Sequence, residues 1–317
     1  MFVASNIVSS GYRKPLASWD DESWIRSKPA RRASCEGFAF SPELVPMAQH
    51  PRFTEDTKLR ERLLAFRLLT HLQFTTVLEL AHVNAVCARL ARDQYALDLT
   101  RDQKLDALRI YCDEGGHALF VELLSDAIER RHGIERSVLP KPRFHQVLEE
   151  IFEEHGSRIA PELLHLFFVS VSETLVTKIL RDIPRDPRVA PLVREVIGDH
   201  ARDEGTHSVY FHWLFPKAWE RLPKSQQELL GQLLPRFLEA FLAPDISGEA
   251  RVLQALGLDD DERQRVLAET YDPSSVRQAV RAAAQPTLRL FEGAGVFDQP
   301  SVAEAFLNRG LYLEAQS

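Results

Sequence analysis

Cysteine is scarce in this 317-residue chain: three residues, Cys35, Cys87 and Cys112, far apart and odd in number. That spacing gives neither a disulfide framework nor a zinc knuckle, and it suits a reducing compartment. Long apolar runs are lacking too; no stretch of about 18 apolar residues, the length of a membrane span, is read in the sequence. The first residues, MFVASNIVSSGYRKP, lack the apolar segment of a secretory leader. Positive charge is not in excess. The formal net charge of −7 argues against nucleic acid or an anionic membrane surface as a partner. Convincing strand patterns are absent as well. These absences lead to the expectation of a soluble, cytoplasmic, all-α protein with neither nucleic acid nor membrane among its partners.

What is present is helical periodicity. Residues 1–52 mix Pro, Gly, Ser and charge without lasting period and read as an irregular N-terminal arm. Residues 53–317 read as a single domain, with a bundle core over about 56–214 and further helices over 215–317. The core has four long segments, roughly 56–93, 101–131, 160–182 and 189–214. Between the second and third lies a crossover containing a short helix candidate, HQVLEEIFEE. The class expected is a four-helix core with one long crossover and helices packed around it.

The core seams of these segments are interrupted by ionisable residues. At alternating spacings of three and four, the fourth segment gives Val193, Ile197, His200, Glu204, His207, Phe211 and Leu214. The second gives Ile110, Glu114, His117 and Val121; the first gives Leu72, Thr76, Glu79 and Val83; the third gives Val169, Glu173 and Val176. An unpaired buried carboxylate costs several kcal/mol or becomes protonated. Carboxylates converging in one bundle therefore call for compensating cations. The ferritin-like di-iron plan takes one Glu from each of two helices and Glu-x-x-His from the other two. Glu79 and Glu173 fit the single carboxylates, Glu114/His117 and Glu204/His207 the paired motifs.

Glu-x-x-His also occurs at Glu79/His82 and Glu162/His165, so depth in the bundle has to choose. A first hairpin turning near residue 97 leaves Glu79 and Glu114 at about one level, as a turn near 187 does for Glu173 and Glu204. Glu162 lies about 16 Å along the axis from Glu173 and follows Pro161, where an acid favours a helix start. His82 is left as either a partner behind the ligands or a satisfied core histidine, and His71, His155 and His165 as surface or packing residues. DEGGH at 113–117 and DEGTH at 203–207 form an internal repeat, each with an Asp beside the ligand, suited to accept the free N–H of a ligating histidine. Gly115 and Gly205 cost their helices about 1 kcal/mol each, so close approach by a helix, O2 or substrate is expected there.

The order Glu79, Glu114-x-x-His117, Glu173, His200-x3-Glu204-x2-His207 resembles the non-haem di-iron N-oxygenases related to the aminobenzoate N-oxygenase, over roughly residues 60–215. That family differs from most ferritin-like carboxylate proteins in a third histidine ligand, and His200 fills its position here. The resemblance implies a ferritin-like di-iron domain whose cofactors are two iron ions, with O2 as co-substrate. It makes Glu79, Glu114, His117, Glu173, His200, Glu204 and His207 the ligands, and Asp113 and Asp203 the partners of the ligand histidines across the bundle. It also implies oxidation of an amine to hydroxylamine, nitroso or nitro products through a peroxo-di-ferric intermediate, with a place in secondary-metabolite biosynthesis, an external electron donor and a homodimeric state. Phe74, Thr75, Thr76 and Leu78, with Gly115 and Gly205, are the expected substrate pocket. No cation is seen beside Glu79 between Arg67 and Arg89, and Lys178 and Arg181 after Glu173 read as helix-end charges, which leaves aryl, aliphatic and carrier-tethered amines open. A di-iron hydroxylase or desaturase acting on C–H bonds and a ferroxidase are the alternatives. A radical-generating reductase typically has a tyrosine where this chain has Val121.

Overall fold

Apolar residues at helical spacing and polar caps at their ends set the long helices. In the computed structural model, residues 11–175 and 178–312 are described; Val176, assigned above to the third seam, and the side chain of Lys178 lie outside them. Two single turns, α1 (Trp19–Glu22) and α2 (Trp24–Ser27), belong to the N-terminal segment. Helix α3 (Thr57–Leu78) starts behind Asp56, whose side chain accepts from the Leu59 amide at 3.0 Å. It passes into a five-residue π-helix, Glu79–Val83, and then α4 (Asn84–Ala91). Helix α5 (Arg101–His132) opens with a Thr100/Gln103 capping box and ends on Gly133 in the left-handed region.

The crossover carries α6 (Arg143–His155), followed by α7 (Pro161–Thr174), α8 (Lys178–Asp182) and α9 (Pro191–Glu220). Around this core pack α10 (Lys224–Gly231), α11 (Leu234–Leu242), α12 (Ile246–Ala255), α13 (Asp260–Thr270), α14 (Pro273–Gly293) and α15 (Pro300–Asn308). No β-strand occurs among the described residues, and the all-α expectation holds.

Two boundaries differ from the sequence reading. The third helix stops at Thr174, with Leu175 at φ −91°, ψ 79°, one residue beyond Glu173. The fourth does not end near 214 but runs through Pro216 to Glu220. Burial of Phe215, Ala218 and Trp219, with Phe167 edge-on to both rings, offsets the backbone bond that proline removes. One apolar stretch was also missed. Pro161–Arg185 contains an 18-residue window of mean hydropathy 1.6, and 67% of that window is buried inside the protein.

The bundle interior is layered. Leu63, Leu68, Leu69 and Leu72 of α3 join Val121, Leu124 and Ile128 of α5 and Val193 and Ile197 of α9 in one apolar cluster. Val83, Val86 and Leu90 join Ala107, Ile110, Phe167, Phe211 and Leu214 in another. Between them, on the same helices, lie Glu79, Glu114, His117, His200 and His207, all buried. The polar layer is thus closed above and below by close-packed side chains.

The N-terminal segment is stitched to the start of α9. Phe38 donates its amide to Arg188 O and accepts from Ala190 N, both at 2.9 Å, and Leu192 N donates to Ser34 O at 3.0 Å. Gly37 makes this join possible: its φ is +117°, and a Cβ there would stand 2.8 Å from Arg188 O. Gly37→Ala is expected to destabilise the fold by about 1–3 kcal/mol. Denaturant unfolding checks the loss, and hydrogen exchange should show it concentrated at residues 34–38 and 188–192.

Candidate metal centre

Each polar side chain of the central layer is aimed by its helix. Glu114 and His117 share one face of α5, and His200, Glu204 and His207 share one face of α9. Glu79 enters from the π-helix and Glu173 from the last turn of α7. Ligand-capable atoms gather in two groups: Glu79, His117, His200 and Glu204 in one, Glu114, Glu173 and His207 in the other. All seven residues singled out in the sequence are therefore brought together.

The two groups interlock through two carboxylates. Glu114 lies 3.3 Å from His117 Nδ1 and, through its other oxygen, 3.1 Å from His207 Nδ1. Glu204 Oε1 lies 3.1 Å from His200 Nε2, 3.4 Å from His207 Nδ1 and 3.5 Å from His117 Nδ1. His200 Nε2 also faces Glu79 Oε1 at 3.0 Å. Glu114 and Glu204 thus each face histidines of both groups.

Behind the layer the two Asp–His pairs cross between helices. His207 Nε2 lies 3.1 Å from Asp113 Oδ2, and His117 Nε2 lies 3.1 Å from Asp203 Oδ2. Donation of Nε2–H to each aspartate leaves Nδ1 of both rings as a lone pair pointing inward. His207 Nδ1 and Glu114 Oε1 are both buried without a hydrogen-bond partner, although they face each other at 3.1 Å. Two acceptors in that position need a cation or a proton between them. Glu79 Oε2 and Glu173 Oε2 are likewise buried and unpartnered, so the donor set fits a pair of divalent ions with oxygen and imidazole ligands.

Without metal, protons must do the compensating. Burial raises the Glu173 carboxyl well above its ordinary range, with the Glu204 and Glu114 charges adding to it, and burial brings Glu79 to about 7. Burial opposes the charged form of His207, but the Glu204 and Glu114 charges and the Asp113 bond outweigh it and raise its pKa. His117 rises likewise: Asp203 and Glu114 overcome burial. Burial would also raise Glu204, yet His207 and His200 hold it well below the carboxylate range.

His82 is a packed histidine bonded to other histidines, not a partner of the ligands. Its Nδ1 lies 3.1 Å from His165 and its Nε2 2.9 Å from His145, and burial keeps it neutral, near 3. His165 is thus a packing residue bonded to His82. Glu162 faces Arg89 at 3.7 Å, outside the site. Of the expected pocket residues, Phe74 lines a cavity of about 480 Å³ with Arg67, Thr70, His71, Phe144 and Phe241. Thr75 is buried, Thr76 donates to Glu122 at 3.3 Å, and Leu78 packs into the core. Gly205 lines a second cavity of about 350 Å³ that reaches Glu173 and Glu204 past Arg181, Arg185 and Arg202. Gly115 is a correction, and so is the close packing expected at Gly205: a Cβ at either would meet nothing within 4 Å, because both residues are exposed, while Gly116 receives Ile25.

Sequence reasoning missed three groups. His71, two turns before Glu79, has its Nε2 buried and unpartnered, and its pKa falls to about 3 through burial, then the Arg67 and His200 charges. Arg67 lines the first cavity, and Arg181, read in the sequence as a helix-end charge, lines the second with Arg185 and Arg202. Trp19, Ser23 and Trp24 reach the two aspartates: Trp19 Nε1 donates to Asp113 at 2.8 Å, Ser23 Oγ to the same oxygen at 2.5 Å, and Trp24 N to Asp203 at 3.1 Å. No local pattern marks these contacts, which span about 90 residues or more.

A family model described as p-aminobenzoate N-oxygenase AurF matches residues 11–295. A 4-aminobenzoate N-oxygenase from Streptomyces thioluteus is 26% identical over 147 residues, which is 46% of this chain and 44% of that protein. The chain thus spans less than half the length of that curated relative.

Two outcomes follow from this geometry. Glu173→Ala removes a carboxylate from one group alone, so bound Fe(II) is expected to fall from about two ions per chain to about one, read by iron analysis after gel filtration. The second concerns pH. His117 and His207, raised above their unfolded value near 6.5, stabilise the metal-free fold below that value and lose this effect as pH rises. Glu79 and Glu173, raised when folded, resist ionisation, so they too make the metal-free fold less stable as pH climbs from about 4.5. The gap in melting temperature between metal-loaded and metal-free protein should therefore widen between about pH 5 and pH 8.

Proposed function

The chain belongs to the p-aminobenzoate N-oxygenase AurF family, and on that premise we propose that it is an O2-dependent oxygenase acting on an amine nitrogen. The observation that carries the reading is the asymmetry of the two ligand groups. One holds two imidazoles, His117 and His200, while the other holds only His207. The extra neutral donor would change electron donation at one position of the pair and leave the carboxylates as they are. When bound there, two ferrous ions supply two electrons to O2, so that one oxygen atom can be passed to the nitrogen and the other leave as water.

The chain's own residues hold and shield this chemistry. Glu79, Glu114, His117, Glu173, His200, Glu204 and His207 hold the ions, while Asp113 and Asp203 fix the His207 and His117 tautomers. The two apolar clusters exclude bulk water from above and below. The amine is assigned to the cavity of about 350 Å³, whose lining includes the ligand residues Glu173 and Glu204 beside Leu175 and Gly205. An external donor must return the irons to the ferrous state. Leu108, Tyr111, Leu119 and Leu123 leave an exposed apolar stripe on α5, which supports the expectation of a homodimer. Oxidation to hydroxylamine, nitroso or nitro products, a role in secondary metabolism and a cytoplasmic setting belong to the same reading.

The test is a single-turnover reaction of Fe(II)-loaded protein with 18O2 and a panel of aryl and aliphatic amines, followed by mass spectrometry. The expected result is one 18O atom on nitrogen for at least one amine. Label on carbon would turn the assignment to C–H hydroxylation, and iron oxidation without labelled product from any amine would turn it to ferroxidase chemistry.

A further inference from the structure

We infer that Trp19 and Ser23 are positioning residues for His207, and that through Asp113 they set the affinity of the Glu114/Glu173/His207 position separately from its neighbour. The inference rests on the metal-binding reading of the centre. Asp113 is almost wholly buried, and both its oxygens are engaged. Oδ2 accepts from His207 Nε2 at 3.1 Å, while Oδ1 accepts from Trp19 Nε1 and Ser23 Oγ at 2.8 and 2.5 Å. Two donors on one oxygen fix the plane of the carboxylate, and the plane fixes the direction of the His207 ring. His207 in turn is the sole imidazole of its group. A rotation there has no second histidine to compensate it.

The other half of the centre is held differently. Asp203 receives Trp24 N and His117 Nε2 on the same oxygen, both at 3.1 Å. A backbone amide survives any side-chain substitution that keeps α2 in place. The position it serves also has His200 as a second imidazole. The internal repeat DEGGH/DEGTH therefore makes two similar Asp–His pairs, and the N-terminal segment makes them unlike: one is held by two side chains, the other by the main chain.

The docking of the segment does not depend on the Trp19 and Ser23 donors. Trp24 is fully buried and stacks on Phe120 at 4.1 Å, and Leu16 is buried in the core. Ile25 lies against Gly116, where a Cβ would stand 3.0 Å from its side chain. Trp19→Phe keeps an aromatic ring, smaller than the indole, and deletes the N–H; Ser23→Ala deletes the hydroxyl. Neither removes these anchors.

The probe is Co(II), titrated into metal-free full-length protein and followed by its d–d absorption and by competition with a chelator. Wild type should take up about two Co(II) per chain. Trp19→Phe/Ser23→Ala should bind one of them as wild type does and the other about 10–100-fold more weakly, the range for loss of a partner behind a metal ligand. Ser23→Thr, which keeps a hydroxyl, should restore most of the affinity to a chain that retains Trp19. Equal weakening of both ions, or no change in either, would overturn the inference while leaving the metal reading intact. A wild-type chain that fails to hold two ions would overturn the reading beneath it. Unchanged circular dichroism and melting temperature in the metal-free double variant separate a positioning role from a folding defect.

Discussion

Like charges cannot be packed into an apolar bundle without an opposing charge among them, and this constraint organises the whole protein. Glu79, Glu114, Glu173, Asp113 and Asp203 are all buried at one level of the core. Each would cost several kcal/mol if ionised alone. Every one of them instead faces an imidazole or a place where a cation is called for. His117 and His207 face outward to aspartates through Nε2 and inward to glutamates through Nδ1, while His200 turns its Nε2 to Glu79 and Glu204. Such an arrangement is stable only with its charges filled. The apolar clusters on either side exclude the water that would otherwise screen them.

The scaffold follows from that demand. Long helices such as α5 and α9 carry the polar layer near their middle, so the layer is flanked by several apolar turns in both directions. The crossed Asp113–His207 and Asp203–His117 pairs join those two helices twice at the same depth. On α3 the chain inserts a π-turn at Glu79–Val83. A π-turn places one extra residue in the helix, which re-aims the side chains after it, and such turns frequently mark functional sites. Here Glu79 faces the centre while His82, three residues on, turns to His145 and His165 instead. In an undistorted α-helix residues three apart share a face, which is why His82 looked like a partner of Glu79.

Much of this was legible in the sequence because the carboxylates and histidines interrupt apolar seams of known period. Glu114, His117, His200, Glu204 and His207 could each be placed by counting threes and fours along one helix. Depth along an antiparallel pair then put Glu79 and Glu173 at their level and left Glu162 outside, where the structure has it facing Arg89. Three kinds of feature were not legible. The π-turn is a one-residue change of register that no residue type marks. The run through Pro216 reflects tertiary burial of Phe215 and Trp219, which overrides the local preference of proline. The N-terminal segment shows no period because its regular pieces are single turns, α1 and α2, and its order comes from contacts about 90 to 180 residues away.

That segment is irregular for a physical reason. The backs of α5 and α9 present two aspartates whose remaining lone pairs cannot be left bare in a dry layer. A further long helix laid there would offer few donors, since its backbone N–H groups are spent internally apart from the first turn. Single turns have free amides and side chains at both ends. Trp24 N, at the start of α2, can therefore reach Asp203, while Ser23 and Trp19 from the turn before reach Asp113. Trp19 and Trp24 also bring large apolar surfaces, so the same few residues supply donors and seal the centre from water. One face of the centre is closed by donors that orient its ligands; elsewhere the cavity of about 350 Å³ reaches Glu173 and Glu204 past Arg181, Arg185 and Arg202.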